Sequence, residues 1–363
     1  MINVAYFWAQ WTGYMAATVS AIQQHRCCNV KVMMPYPSAL NYGTSRPFDI
    51  SQVSPPGIDL KYTKELTYDI VRAFVDEFRP DIVVCSGWNF PPYMRVLRED
   101  KGRFMRALSM DNQWLRKPKQ FAGIAATRWM LHPCFDVVFA SGARQRRFAE
   151  MLGFEGPAIY EGYLACDWSL FSAKPVPSGH RRFMLAGRLV DDKGIRELLE
   201  GYRLYRNSTS YPWSLELIGN GIFDDLARAE VGVSVSSFQQ PAALAETLRT
   251  AGCFILPSKF EPWGVALHEA ASVGLPLITS SAVGSADHVL RHGWNGFLLE
   301  AVSPSAIARA LKQIASMDPA ELAQFGERSR FMASTLTPKI WAETFWTCYT
   351  TRKNDKPPSQ RFY

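Results

Sequence analysis

Two glutamates, Glu261 and Glu269, stand eight residues apart in the stretch FEPWGVALHEA, residues 260–270. The run CFILPS before it reads as a buried strand, and Pro262 and Gly264 suit the start of a helix. One carboxylate then belongs to the loop, and the other lies more than a turn inside the helix. A carboxylate accepts two hydrogen bonds at once, which suits a diol such as the 2′ and 3′ hydroxyls of ribose or neighbouring hydroxyls of a sugar. Upstream, LAGRLVDDKG ends a strand with Arg188 and Lys193 ahead of a helix. Two cations beside the free N–H groups of a helix start make a site for a diphosphate. LELIGNG, residues 215–221, runs from a strand into a Gly-Asn-Gly turn where backbone can come close to a ligand. SSAVGSADHV, residues 280–289, is a small-residue loop before a helix and again offers backbone donors to phosphate. Taken singly, these stretches also read as surface cations and plain turns. Their convergence depends on the elements that carry them.

Strand-like runs of four to eight residues alternate with helical periods along most of the chain: VAYF, NVKVMM, DIVVCS, RFMRALSM and FDVVFAS in the first half, FMLAGR, WSLELIG, VSVSSF, CFILPS and LPLITS in the second. Such alternation indicates α/β domains with mainly parallel sheets. At 363 residues the chain suits two domains. The rhythm pauses at FSAKPVPSGHRR, residues 171–182, whose prolines and glycine look like a linker. The expected fold is therefore two doubly wound domains, and ligands on such sheets collect outside the carboxyl ends of the strands. Two sheets facing each other would bring both ligand edges to one interdomain cleft.

Composition narrows the function classes. Hydrophobic residues make up 47% of the chain and charged residues 20%, as in a soluble globular enzyme, with no repeat or low-complexity tract. MINVAYFW reads as a first buried strand and lacks the pattern of a cleavable leader. No apolar run reaches the roughly 18 residues of a membrane span. Seven scattered cysteines without a CxxC or Cys/His ligand pattern suggest reduced thiols in a cytosolic setting, and no metal site. The net charge of +7 concentrates between Lys101 and Glu150, where ten Lys and Arg face three Asp and Glu. That half suits an anionic lipid surface or an anionic acceptor, with a solvated helical face as the plainer reading. Nucleic acid fits less well, since no zinc-finger, RNP or helix-turn-helix signature accompanies the charge.

The second half also carries a family resemblance. PSKFEPWGVALHEA resembles the E-x7-E signature of retaining GT-B glycosyltransferases. The order of GRLVDDKG, LIGNG, FILPS, the paired glutamates, VGSADHV and GWNGFLLE is similar to glycosyltransferase family 4 over residues 183–299. IYEGYLACDWSLF resembles the segment that ends the family's N-terminal domain, and before residue 155 the likeness rests on Gly13 after the first strand and on sheet rhythm. The resemblance implies a GT-B fold with a Rossmann-like acceptor domain at 1–172, a Rossmann-like donor domain at 180–336 and a last helix at 337–352 that returns to the first domain. It implies a sugar-nucleotide donor, UDP- or GDP-linked, and no metal cofactor. Arg188 and Lys193 would hold the diphosphate and Glu261 the hydroxyls of the transferred sugar. Glu269 would bind the ribose. Gly187, Gly219, Trp263, Gly264 and Val265 would line the donor, with the base near Ser237 and Phe238 and Gly13 approaching from the other domain. The family commonly has a histidine at a strand end near the donor sugar; here the region reads LSMDNQW, so Asp111 or Asn112 would stand there. His268, one helical position from Glu269, reads as a packed or surface histidine.

The implied activity is retaining transfer of a sugar to a glycan or glycolipid hydroxyl, in polysaccharide, lipopolysaccharide or glycolipid assembly, in the cytoplasm or peripherally on the inner face of a membrane. Breaking a glycosyl phosphate bond leaves negative charge on the diphosphate, so preorganised cations there stabilise the transition state above the ground state. A non-hydrolysing sugar-nucleotide 2-epimerase on the same scaffold is one alternative. A non-catalytic sugar-nucleotide-binding protein is the other. The acidic pairs Asp191-Asp192 and Asp224-Asp225 lack the spacing of a metal-gripping DxD. PKIWAETFWTCYT, from residue 338, places Ile340, Phe345 and Tyr349 at near-helical spacing for the returning helix.

Overall fold

Runs such as INVAYF are apolar on both faces, the pattern of a parallel strand covered by helices on either side. The computed structural model of the chain describes residues 1–35, 49, 55, 57–173 and 180–354. These form two compact units: one of residues 1–35, 57–165 and 338–354, the other of residues 166–173 and 180–337.

The first unit holds seven parallel strands: β1 (Ile2–Phe7), β2 (Cys28–Pro35), β3 (Ile58–Thr63), β4 (Ile82–Ser86), β5 (Met105–Met110), β6 (Val137–Ala140) and β7 (Ile159–Glu161). Their order is β3-β2-β1-β4-β5-β6-β7, with Tyr6 opposite Val32 on one side and Val84 on the other. The second unit holds six: β8 (Arg182–Ala186), β9 (Ser214–Ile218), β10 (Val233–Ser236), β11 (Cys253–Leu256), β12 (Leu277–Ser280) and β13 (Gly296–Leu299). Their order is β10-β9-β8-β11-β12-β13, again all parallel, with Leu185 opposite Leu217 and Met184 opposite Phe254. Each sheet is doubly wound, and its order reverses at β1/β4 or at β8/β11, the switch points where ligands gather. The α/β architecture of two doubly wound units expected from the sequence is the one observed.

The core of each unit lies between sheet and helices. Phe7, Phe74, Val83 and Leu108 are buried in the first, and Phe183, Leu217, Phe254 and Ile278 in the second. Phe7 stacks on Tyr93 with centroids 4.6 Å apart, and the Tyr93 hydroxyl donates to Met33 O at 2.9 Å, so the buried ring keeps its polar end satisfied.

The division between units falls at Ala165/Cys166, ahead of the boundary expected at residue 172. The reason is packing. Cys166 and Phe171 join the core of the second unit, with Trp168 and Leu170 against it, and Arg249 Nη2 donates to Leu170 O at 3.1 Å. Residues 174–179 of the expected linker lie outside the described residues.

The helix Pro338–Asn354 belongs to the first unit and lies along the helix Gly13–His25. Trp346 Nε1 donates to Ile22 O at 3.0 Å, and Trp341 and Phe345 approach Phe139 with ring centroids at 4.8 and 5.8 Å. Phe345 and Tyr349 are buried, whereas Ile340 is exposed.

Candidate active site

Where the second sheet reverses its order, the chain leaves β8 through Gly187 and Arg188, makes one tight turn over Asp191–Lys193 and enters the helix Ile195–Asn207. Neighbouring β11 leads through residues 257–264 into the helix Val265–Val273. Backbone bonds join the two loops: Lys259 N and Phe260 N both donate to Asp192 O, at 2.8 and 3.2 Å. The loop after β12 is joined as well. Gly284 N donates to Glu261 O at 3.1 Å, Ser285 N to Trp263 O at 2.7 Å and Ser285 Oγ to Gly264 O at 3.0 Å.

Gly264 caps the second helix with φ 89°, and a Cβ there would meet Val283 Cγ1 at 2.7 Å, so the tight turn requires glycine. No side chain caps this helix, which leaves first-turn amides such as that of Val265 facing outward, where an anion can take them. The Gly-Asn-Gly turn after β9 packs on the β8 loop. Gly187 N donates to Ile218 O at 2.9 Å and Leu189 N to Asn220 O at 3.0 Å, and a Cβ on Gly219 would fall 1.9 Å from Gly187 O. Asn220 Oδ1 accepts from Phe238 N at 3.1 Å, which fixes the loop after β10.

All five loops that leave β8 to β12 are thus bonded into one surface around the charged residues. Lys193 Nζ donates to Glu261 Oε2, and both side chains are largely shielded, at 13% and 15% exposure. Burial and then the nearby Arg188 charge lower the Lys193 ammonium to about 8, with Asp192 acting the other way. The Glu261 carboxylate in contact favours the charged ammonium. Arg188 is exposed and has no ion-pair partner among the described residues.

Glu269 is partly buried, and its carboxylate has no hydrogen-bond partner among the described residues. Burial first, and the Asp167 charge second, raise it to about 7. Its neighbour His268 is fully buried: Nδ1 accepts from Cys166 N at 3.2 Å, and Nε2 faces Ala333 O at 3.3 Å. This pattern sets the tautomer with the proton on Nε2, and burial lowers the ring to about 4. The packed reading of His268 is the observed one. Trp263 is buried against His288, so it presents backbone only.

Gly187, Arg188, Lys193, Gly219, Phe238, Glu261, Trp263, Gly264, Val265 and Glu269 all lie beyond the carboxyl ends of β8 to β11, in the second unit. Gly13, Asp111 and Asn112 lie in the first, Gly13 opening the helix after β1 and the other two exposed just beyond β5. Asp111 O accepts from Gln145 Nε2 at 3.1 Å, and surrounding protein raises the Asp111 carboxyl above its usual range. Sequence reasoning missed Asn220, Ser285 and Asp167. Asp167 had a readable signal, since it caps the helix Trp168–Phe171 through Leu170 N at 3.1 Å. Among the described residues no group of His, Cys, Asp and Glu could hold a metal ion, and no helix is long and apolar enough to cross a membrane.

Comparison with known proteins bears on the same region. The family model "Glycosyl transferases group 1" matches residues 167–331. A glycogen synthase of Mycobacterium tuberculosis is 26% identical over 207 residues, 54% of this chain and 49% of that protein. A D-inositol 3-phosphate glycosyltransferase of Streptomyces avermitilis is 34% identical over 102 residues, 27% of this chain and 22% of that protein. The chain therefore spans about half the length of the first relative and less of the second. The crystal structure of HepE from Anabaena, in complex with UDP and glucose, superposes with a TM-score of 0.73 at 13% identity, covering 97% of this chain and all of that one. Residues 167–331 thus resemble a glycosyl transferases group 1 domain, and the fold of the chain is the two-domain GT-B fold.

Proposed function

We propose that the protein is a retaining glycosyltransferase that moves a sugar from a nucleoside diphosphate to a hydroxyl of a glycan or glycolipid. The observation that carries this reading is the grouping of Arg188, Lys193 and Glu261 with the unpartnered carboxylate of Glu269 at the switch point of one sheet. Arg188 and Lys193 take the diphosphate, together with the uncapped amides after Gly264. Phosphate oxygens compete with Glu261 for the Lys193 ammonium, and the carboxylate so released holds the sugar hydroxyls. Glu269, with two acceptor oxygens and no partner, takes the two ribose hydroxyls.

As the glycosyl phosphate bond breaks, charge grows on the leaving diphosphate next to cations that are already in place, of which Lys193 is largely shielded from water. The acceptor hydroxyl attacks from the leaving-group side and passes its proton to the departing phosphate oxygen. Glu261 positions the sugar and forms no covalent bond. On the family resemblance, the second unit forms the donor domain and the first unit the acceptor domain. Gly13 and one of Asp111 and Asn112 are further donor contacts, and transfer needs no metal. The presence of UDP and glucose in the HepE structure supports a sugar-nucleotide donor.

A thermal-shift panel of nucleoside diphosphates, followed by incubation with labelled UDP- and GDP-sugars, tests the proposal. A ligand at 100 times its dissociation constant adds roughly 2.7 kcal/mol of stability. Transfer or slow hydrolysis that survives EDTA is the expected result. Isomerised donor would indicate an epimerase, and binding without turnover a non-catalytic protein.

A further inference from the structure

The basic excess between residues 101 and 150 separates into two groups. Arg103, Arg106 and Arg146 are held in ion pairs, with Asp76 and Asp100, with Asp136 and with Glu161 respectively. Arg116, Lys117 and Arg128 are exposed on and beside the helix Pro118–Leu131, within a stretch from Asn112 to Phe135 that contains no Asp or Glu.

That helix has two unlike sides. Leu131 is buried and Gln120, Gly123, Ile124 and Thr127 partly so, and at roughly 100° per residue these five fall on one arc. The opposite arc presents Phe121, Ala125 and Trp129 at i, i+4 and i+8, with Arg128 and Met130 at its flanks. Phe121 is 59% exposed, Trp129 82% and Met130 51%, which is the reverse of what a solvated helical face carries.

We propose that the Pro118–Leu131 helix docks the first unit onto an anionic lipid bilayer, with Phe121, Trp129 and Met130 entering the headgroup boundary and Arg116, Lys117 and Arg128 meeting lipid phosphates. A tryptophan ring suits that depth, because its apolar body and polar N–H match the two sides of the interface. The absence of any carboxylate in the stretch favours a surface of uniform negative charge over a folded protein of mixed charge. The inference adds a membrane location to the glycolipid-acceptor reading and rests on the first unit alone, so it can fail independently of the transfer reaction.

Co-sedimentation of the full chain with phosphatidylcholine vesicles, with and without phosphatidylglycerol, is the test, with nucleoside-diphosphate thermal shift measured on the same preparation. Binding to the anionic vesicles is expected. Phe121→Ser with Trp129→Ser should weaken it at least ten-fold with little change in melting, since Trp129 is already in water and Phe121 gives up only an edge-on contact with Trp114. Arg116→Gln with Arg128→Gln should remove the preference for phosphatidylglycerol. Wild-type protein that stays in the supernatant would overturn the proposal, as would a Phe121/Trp129 variant that binds like wild type. Self-association that is lost in that variant, without vesicle binding, would also overturn it and make the face a contact between copies. A nucleotide shift that persists while vesicle binding is absent would leave the transfer reading standing.

Discussion

Lys193 shows how one residue can be held ready by a neighbour that it later gives up. Buried beside Arg188, its ammonium is weakened, and Glu261 keeps it charged. Lys193→Ala and Arg188→Ala should each depress kcat by about 100- to 1000-fold, about 2.7 to 4 kcal/mol, while nucleoside affinity falls much less. Single-turnover rates beside calorimetric Kd values check this, and wild-type rates would end the assignment. Glu269 and His268 make a second pair of opposed effects. The raised Glu269 is protonated in the folded state and ionised in the unfolded state between pH 4.5 and about 7, so stability falls as pH rises through that window. The lowered His268 is neutral when folded and protonated when unfolded between about 4 and pH 6.5, so there stability rises with pH. Over their common range the two offset. Glu269→Gln should therefore stabilise the protein at pH 7.5 by up to about 3 kcal/mol, remove donor binding, and expose the His268 slope as a gain of about 3 kcal/mol from pH 4 to 6.5. Urea melts across pH measure all three, and an unchanged pH profile in the variant would contradict the pairing.

Among the elements, the loops at strand ends do the positioning, and two glycines let them close. Gly264→Ala would put a side chain at φ 89° and against Val283, costing about 1 to 3 kcal/mol and shifting the first-turn amides. A lowered melting temperature with weaker diphosphate binding is expected, and an unchanged melting curve would show that the turn can relax. These loops were legible in the sequence because each combines a buried strand, a glycine and a charged residue within a few positions. The strand rhythm was legible for a related reason, since parallel strands buried on both faces are continuous apolar runs. What could not be read depends on contacts between distant segments. Nothing local in LACDWSLF says that Cys166 N meets His268 or that Asp167 raises Glu269. The boundary at Ala165/Cys166 follows from those contacts and not from the proline-rich stretch after it.

At the scale of the molecule, the second unit is an insertion in the chain of the first, which is completed only by the helix Pro338–Asn354. Trp346, buried among Phe345, Tyr349 and Arg26 and bonded to Ile22, anchors that helix. Trp346→Ala should cost about 3 to 5 kcal/mol of first-unit stability, read as an earlier urea transition. Truncation before Pro338 should lower soluble yield and raise binding of a hydrophobic dye, with Arg188, Lys193 and both glutamates intact. Truncated protein that stays soluble with an unchanged melt would reduce the helix to an appendage. The bond from Trp346 to Ile22 spans 324 residues and so has a meaning for biosynthesis. While the ribosome is still making the second unit, the Gly13–His25 helix waits with one side bare, and the nascent first unit cannot reach its native energy until residues 338–354 have been made. The unit that starts first should therefore finish last. Splicing residues 338–354 through a flexible Gly-Ser linker directly after residue 165 should shorten that wait and give a first unit that folds by itself, which its amide hydrogen exchange would reveal.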